Sequence, residues 1–277
     1  MKELDLTQGS VPKVLLQFAL PFLLANLLQA LYGGADLFVV GLYDDAASVA
    51  GVAIGSQVMQ TVTGIILGLT TGTTILIALQ DALVNVSFLL ITVIVNQMGV
   101  IASAALGVVE KIITFAMLPP MAISSAVAAM TAQNYGAGLI RRMNLCLRSG
   151  IGMALVFGVS VCAYSQFLPE TLTGIFTHDP AVVAMGADYL RGYSIDCIIV
   201  SFVFCINSYF SGQGNSWFPM VHSLIATFLF RIPLSWAFSH IDPSSLFWMG
   251  YAPPAATCVS LLICFWYLRR QAQKQAQ

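Results

Sequence analysis

Charged residues are scarce in this 277-residue sequence, where they make up 8% of the chain against 58% hydrophobic residues. So few charges cannot cover the surface of a soluble domain, and the composition therefore excludes an ordinary soluble protein. A bilayer core about 30 Å thick needs roughly 20 apolar residues per helix. Stretches of that kind recur from Val14 to Leu268 without a large polar insert. The sequence predicts an all-α polytopic membrane protein that lies among membrane lipids.

Paired cysteines and catalytic motifs are also lacking. The six cysteines are scattered without a CxxC pair, so we expect neither a disulfide framework nor a metal site. His178, His222 and His240, which we place in loops or near helix ends, have no metal-ligand spacing. No HExxH, nucleophile elbow or phosphate-binding glycine loop is present. We expect no cofactor, no nucleic acid partner and no enzyme, and a membrane enzyme acting on lipid is the least favoured alternative.

Hydropathy divides the chain into eight membrane-spanning helices. Their predicted ranges are 12–42, 46–79, 80–97, 100–133, 143–167, 181–211, 216–239 and 245–269. An even number of spans places both termini on one side of the membrane. The polar residues from Met1 to Lys13 contain no apolar core ahead of a cleavage site, so we expect no cleavable signal peptide.

Basic and acidic residues occupy turns on opposite sides of the predicted spans. Basic residues accompany the termini and one alternate turn, at Lys2, Lys13, Arg141, Arg142, Arg148, Arg269, Arg270 and Lys274. The opposite turns contain acidic residues without Lys or Arg, at Asp44, Asp45, Glu170, Asp179 and Asp242. The positive-inside rule therefore predicts a multi-pass protein of the cell membrane with both termini in the cytoplasm.

Two apolar stretches run directly into each other at residues 73–90, "TTILIALQDALVNVSFLL", with only Gln80 and Asp81 between them. A single helix over 46–97 would contain roughly 52 residues and reach about 78 Å at 1.5 Å per residue, far beyond a bilayer. We predict a cytoplasmic turn at this polar pair. No Gly or Pro follows Ala78 to ease the reversal, so we expect that a segment is missing at residues 78–82, by natural fusion or by deletion.

An internal repeat points to the same place. "ASVAGVAIG" at 47–55 is similar to "ASAALGVVE" at 102–110, and "TTILIA" at 73–78 falls opposite "AAMTAQ" at 128–133, near an offset of 55 residues. Many transporters are built from duplicated halves. The later copy continues into a basic loop, whereas the earlier copy has no loop. The repeat thus predicts two related halves, one of them interrupted.

Polar residues inside the first predicted helix share one face. Asn26, Gln29, Gly33 and Asp36 fall at offsets 0, 3, 7 and 10, a helical spacing. An ionised carboxylate at Asp36 costs several kcal/mol unless it is paired or hydrated. We predict that Asp36 exchanges a proton or cation; a structural carboxylate bonded to a neighbouring helix is the alternative.

The third and fourth predicted helices carry further candidates. Asp81, Asn85 and Thr92 share a face, although Asp81 is better explained as a solvated residue at the turn. Glu110 and Lys111 are adjacent and therefore point in different directions, so each needs its own partner. For these two, a structural ion pair with another helix and a role in coupling remain equally open.

The sixth and seventh predicted helices add three polar side chains. Asp196 and Asn207 share a face at an offset of 11 residues. Arg231 precedes Pro233, where a kink would free backbone carbonyls for the guanidinium. Both structural and functional roles stay open for this arginine.

Three segments resemble the multidrug and toxic compound extrusion (MATE) antiporters. "ALPFLLANLLQALYGGADLFVVG" at 19–41 resembles their first helix, and "LPPMAISSAVAAMTAQNYGAG" at 118–138 and "YLRGYSIDCIIVSFVFCINSYFSGQGNSWFPM" at 189–220 are similar to helices of their C-terminal lobe. The resemblance implies that Asp36 is the coupling carboxylate for H⁺ or Na⁺. It implies a cavity lined by Asn26, Gln29, Asn85, Asp196 and Asn207.

The resemblance also implies a departure from the family pattern of twelve helices in two lobes. Residues 1–79 would be the first two helices of the N-terminal lobe and residues 80–277 the six-helix C-terminal lobe, with helices three to six missing. The implied function is efflux of amphipathic or cationic organic compounds. The alternatives are a remnant or assembly subunit without transport, and self-association that covers the missing lobe.

Overall fold

The structure, a computed structural model, describes residues 5–70 and 75–275. Its helices are α1 Val11–Tyr43, α2 Ala46–Thr70, α3 Ile75–Asn96, α4 Val100–Gly136, α5 Ile140–Phe167, α6 Pro169–Thr173, α7 Pro180–Gly212, α8 Trp217–Leu224, α9 Ile232–Ile241 and α10 Ala252–Gln275. A π-helical segment, Ile225–Arg231, joins α8 and α9, and a 3-10 turn, Met249–Tyr251, precedes α10.

The helices of the described residues confirm the all-α polytopic fold class. Six of them are long and apolar enough to cross a membrane, counting α8, the π-helical segment and α9 as one span over Trp217–Ile241. Ala82–Asn96 of α3 is a further apolar stretch. Most predicted boundaries agree with these helices within a few residues. Pro119 and Pro120 lie inside α4, which continues through them.

The predicted turn at Gln80 and Asp81 is wrong in position. Helix α3 begins at Ile75, so both residues lie inside its second turn. Two adjacent polar residues are compatible with a continuous helix and do not by themselves mark a reversal. The sequence between α2 and α3, residues 71–74, lies outside the described residues, as does the side chain of Asp81.

Tight turns between the long helices depend on glycine. Gly99 before α4 has φ 112° and Gly138 before α5 has φ 72°, backbone conformations that other residues adopt only at a cost. The N-terminus of α7 is fixed differently, since the Asp179 carboxylate accepts a hydrogen bond of 2.9 Å from the Ala181 N–H. An N-cap of this kind satisfies a backbone donor that the helix leaves free.

Helix α4 lies at the centre of the described fold, between α7 and the first two helices. An added Cβ at Gly34 of α1 would lie 3.0 Å from the Phe115 ring of α4. A side chain at Gly107 of α4 would overlap the Cβ of Ala53 on α2. Small residues allow membrane helices to approach closely, and here they hold α1 and α2 against α4.

Both chain ends lie at the same end of the helix bundle. The Arg142 guanidinium of α5 donates to the carbonyls of Gly9, at 2.7 Å, and Gln8, at 2.6 Å. Gln271 near the end of α10 donates to Gln213, just after α7, at 3.0 Å. Tyr209 of α7 donates to Asn144 of α5 at 2.6 Å and so connects the two regions. The three basic regions of the sequence therefore share one end of the molecule.

Candidate functional site

Hydrogen bonds between side chains join α2, α3 and α4 inside the apolar part of the bundle. The Gln57 amide donates to the Glu110 carboxylate, and the Thr92 hydroxyl donates to the Gln57 amide oxygen at 2.6 Å. One turn further along α2, the Thr61 hydroxyl donates to the Gln57 carbonyl at 2.9 Å. These four residues form the α2–α4 polar cluster. Because the glutamine both donates and accepts, it fixes the carboxylate of one helix relative to the hydroxyl of another.

Lys111 approaches the other helix of the N-terminal pair. Its side chain is 7% exposed, and its Nζ lies 3.6 Å from the position that a Cβ at Gly33 would take. Glu110 thus points to α2 and Lys111 to α1, as their adjacent positions on α4 predict. A Cβ at position 33 would therefore be in van der Waals contact with the ammonium group.

A small cavity adjoins the cluster. Its volume is about 20 Å³, and its lining includes Gln57, Glu110, Lys111 and Thr114. A cavity of that size has room for one water molecule. The Gln57, Glu110 and Lys111 side chains therefore border one small space.

The predicted α1 residues are placed beside this cluster but are not joined to it. Asp36 and Gln29 are exposed on the surface of α1, and Asn26 is half-buried. No hydrogen bond or ion pair connects Asp36 to another described residue; the salt bridge found in the described residues joins Arg191 and Asp188 at 3.7 Å. Asp36 lies one helical turn from Gly33 and hence close to the Lys111 side of α4.

Asp196 and Asn207 share α7 but occupy separate surroundings. Asp196 is 4% exposed and its Oδ1 has no hydrogen-bond partner among the described residues. Asn207 lies about 16 Å further along the helix and its Oδ1 is 2.8 Å from the His222 Nε2. The structure therefore does not bring the two predicted lining residues together. Asn85 is half-buried on α3.

His222 lies in the last turn of α8, near a helix end as predicted, but within the helix interface. It belongs to α8 and is 1% exposed. Its Nδ1 is 2.8 Å from the Ser260 hydroxyl of α10, and its Nε2 faces Asn207. Helix α8 continues directly into the π-helical segment, and the imidazole is buried in the interface with α7 and α10.

Arg231 lies over an aromatic ring. Its Cζ is 4.0 Å from the centre of the Phe88 ring on α3, and its Nε has no partner among the described residues. The expected contact with carbonyls freed by Pro233 is not found there. The π-helical segment ending at Arg231 changes the direction of the side chain, and a cation over an aromatic face is a favourable alternative.

Sequence reasoning missed the central member of the cluster, Gln57. The sequence feature that indicates Gln57 is its position inside an otherwise apolar helix, with Thr61 one turn away on the same face. Polar residues at helical spacing are the same feature that identified the candidates on α1. Phe88 and Ser260 gave no such signal, because a phenylalanine or a serine in a membrane helix is ordinary.

The fold and these buried charged groups define a polytopic helical membrane protein with ionisable residues at the interface between its first two helices and the rest. A model of the MatE family matches residues 21–80 and again residues 77–237. The chain therefore belongs to the MatE family, and the two matches meet where the apolar stretches run together.

Proteins similar in sequence to this chain are named as transporters or multidrug resistance proteins. The chain is 26% identical over 196 residues to "Probable multidrug resistance protein YoeA" of Bacillus subtilis, covering 67% of this chain and 40% of that protein. It is 27% identical over 145 residues to "FAD transporter" of Shewanella oneidensis, covering 51% and 31%. The chain thus spans 40% or less of the length of these two relatives.

Solved structures show the same fold. A MATE protein crystallised in the straight conformation matches with a TM-score of 0.67 at 15% identity, over 77% of this chain and 47% of that chain. The outward-facing conformation of a multidrug resistance MATE family transporter matches with a TM-score of 0.65 at 15% identity, over 72% and 46%.

Proposed function

We propose that this chain is part of a MATE-type secondary transporter that exports amphipathic or cationic organic compounds in exchange for H⁺ or Na⁺. Family membership and the relatives' printed names support transport and speak against a membrane enzyme. The observation that carries the proposal is the α2–α4 polar cluster, which places a carboxylate at the interface between the first two helices and the others. Charged groups in membrane spans are costly and commonly serve ion pathways.

The chain combines parts of two lobes in this proposal. Residues 1–79 correspond to the first two helices of the N-terminal lobe and residues 80–277 to the C-terminal lobe, without helices three to six. Two separate family matches that meet at residues 77–80 support this division. The short span relative to curated relatives supports it as well.

Asp36 is the proposed coupling carboxylate. It is exposed on a membrane helix, one turn from the glycine that faces the Lys111 ammonium. Binding of H⁺ or Na⁺ at Asp36 would change the electrostatic potential at Lys111 of α4. Glu110, which is adjacent to Lys111, would experience the same change in potential. Arg231, whose guanidinium lies over Phe88 of α3, also contributes to coupling in this scheme. The proposed substrate path is lined by Asn26, Gln29, Asn85, Asp196 and Asn207.

A second copy of the chain is the proposed cover for α1. Lipid chains cover the exposed leucines of this helix, such as Leu24 and Leu28. They supply no hydrogen-bond donor to the exposed carboxylate of Asp36. Self-association would bury that group against protein. We propose a cell-membrane location with both termini in the cytoplasm, supported by the shared end of the three basic regions.

Transport into vesicles tests the function. Vesicles containing the wild-type chain, Asp36→Asn or Asp44→Asn are given a proton or Na⁺ gradient, and accumulation of a fluorescent organic cation is followed. We expect gradient-driven uptake that Asp36→Asn abolishes and the matched turn variant Asp44→Asn retains. Equal uptake by the wild type and Asp36→Asn would remove the coupling role.

The alternative function is a remnant or assembly subunit without transport of its own. The specific observation in its favour is that the first lobe is represented by α1 and α2 alone in the described residues, whereas alternating access needs two bodies. Absence of uptake in all three vesicle preparations, with correctly inserted protein, would favour this alternative.

A further inference from the structure

The turn between α4 and α5 borders an open cavity of about 910 Å³ that lies away from the α2–α4 polar cluster. Among the described residues, its lining comes from the segment 138–148 and includes Arg141, Arg142 and Arg148 but no Asp or Glu. Three guanidinium groups around one cavity give it a positive potential that attracts anions. Arginine in particular offers a planar fork of donors that matches phosphate oxygens.

The three arginines differ in how their donors are used. Arg142 donates to the Gly9 and Gln8 carbonyls, and its Nε is buried without a partner in the described residues. Arg141 and Arg148 are exposed and make no hydrogen bond or ion pair with a described residue. Among the described residues, Asp5 is an acidic neighbour of Arg142, and its carboxylate accepts hydrogen bonds from Thr7. Two guanidinium groups therefore remain available to a ligand.

Apolar side chains line the same cavity. Leu139, Ile140 and Leu145 are 40%, 38% and 49% exposed. A soluble anion would gain no free energy from contact with these apolar side chains, whereas the acyl chain of a lipid would bury their apolar surface. The cavity thus presents guanidinium groups and an apolar wall side by side, at the end of the bundle where all basic regions meet.

We propose that this cavity binds the phosphate group of an anionic phospholipid, with Arg141 and Arg148 on the phosphate and the acyl chain along Leu139, Ile140 and Leu145. Basic residues at the end of membrane helices attract anionic headgroups by about 1 kcal/mol per Lys or Arg near the surface. The site is independent of the transport proposal, and it holds whether or not the chain moves a substrate.

Native mass spectrometry of protein released from nanodiscs tests the site. The nanodiscs contain phosphatidylglycerol and phosphatidylcholine, and the variants are Arg141→Gln/Arg148→Gln and the matched control Arg269→Gln/Arg270→Gln, which removes two exposed arginines at the end of α10. We expect the wild type to retain phosphatidylglycerol preferentially. The first variant should bind it on the order of 10- to 30-fold more weakly. The control should lose clearly less, because Arg269 and Arg270 are not among the lining residues of the cavity.

Four results would overturn the proposal. These are equal retention of both lipids by the wild type, an equal loss in the α10 control, undiminished binding in the α5 variant, and displacement of the lipid by millimolar inorganic phosphate. The last result would assign the cavity to free phosphate. Size-exclusion profiles confirm folding, and if the double variant misfolds, Arg148→Gln alone should weaken lipid binding roughly fivefold.

Discussion

Helix α1 and the central helices α4 and α7 differ in how deeply they are buried. In its most apolar part, α1 has 11% of its residues buried within the protein, against 61% in α4 and 50% in α7. The polar side chains follow the same division. His222 and Asn207 satisfy each other inside the later helices, whereas Asp36 is exposed on α1. Helices α4 to α10 form a packed unit, and α1 and α2 contact it mainly through α4, while α2 also packs against α3.

The largest effect is expected inside the packed unit, from Gly192→Leu. A Cβ at Gly192 of α7 would lie 2.7 Å from the Gly250 carbonyl carbon, and backbone atoms cannot rotate out of the way. We expect a loss of about 3 kcal/mol or more in stability, at the upper end of overpacking costs. Thermal unfolding in detergent, followed by size exclusion, measures the loss.

The control for this change is Gly152→Leu on α5, where an added Cβ meets nothing within 4 Å. Both variants replace a helical glycine by leucine, so they share any gain in helix propensity. A melting temperature of Gly192→Leu equal to that of the control would show that α7 and the turn before α10 are not in close contact.

A smaller effect is expected where α2 crosses α4, from Gly107→Leu. The new side chain would overlap the Cβ of Ala53, a side-chain atom, whereas a side chain at Gly192 would meet backbone. We expect a loss of about 2 kcal/mol and faster proteolysis of the first two helices than of the rest. Gly55→Leu on α2, where an added Cβ meets nothing within 4 Å, is the matched control. Uniform proteolysis of the whole chain would contradict the division into two regions.

The polar connection between the two regions is tested by Gln57→Ala. This change leaves the Glu110 carboxylate without its amide donor, and an unsatisfied buried polar group costs about 1–3 kcal/mol. Met59→Ala, at a side chain 65% exposed on the same helix, should change the melting temperature far less. In a double-mutant cycle, Gln57→Ala and Glu110→Ala should be less than additive. Strict additivity would mean that the two residues do not interact.

The smallest effect concerns acid sensitivity at the α1–α2 turn. Hydrogen bonds from the Ser48 N–H and hydroxyl lower the pKa of Asp45. A depressed pKa in the folded state gives stability that is present above the unfolded value and is lost as the pH falls through the folded value. We therefore expect Asp45→Asn to reduce the fall in melting temperature between pH 7 and pH 3.

Asp242 offers the corresponding test in the packed unit, because hydrogen bonds from Ser244 lower its pKa as well. Asp242→Asn should produce a similarly small change. If either variant responds to acid as strongly as the wild type, the corresponding carboxylate does not contribute to the pH dependence.

Much of the fold followed from local patterns. Runs of apolar residues fix where helices cross a membrane, and most predicted helices agree with the structure within a few residues. The adjacent positions of Glu110 and Lys111 correctly indicated that their side chains approach different helices, α2 and α1. The error at Gln80 and Asp81 arose because two adjacent polar residues fit inside a helix as readily as they fit a reversal.

By itself, the sequence determined the number of long helices, their alternation and the sorting of charge between turns, because each depends on residues close together in the chain. Only the tertiary structure decided which groups meet: Gln57 with Glu110, Phe88 with Arg231, and Ser260 with His222. These partners come from helices that are distant in sequence, and their contact depends on where small residues allow the helices to approach.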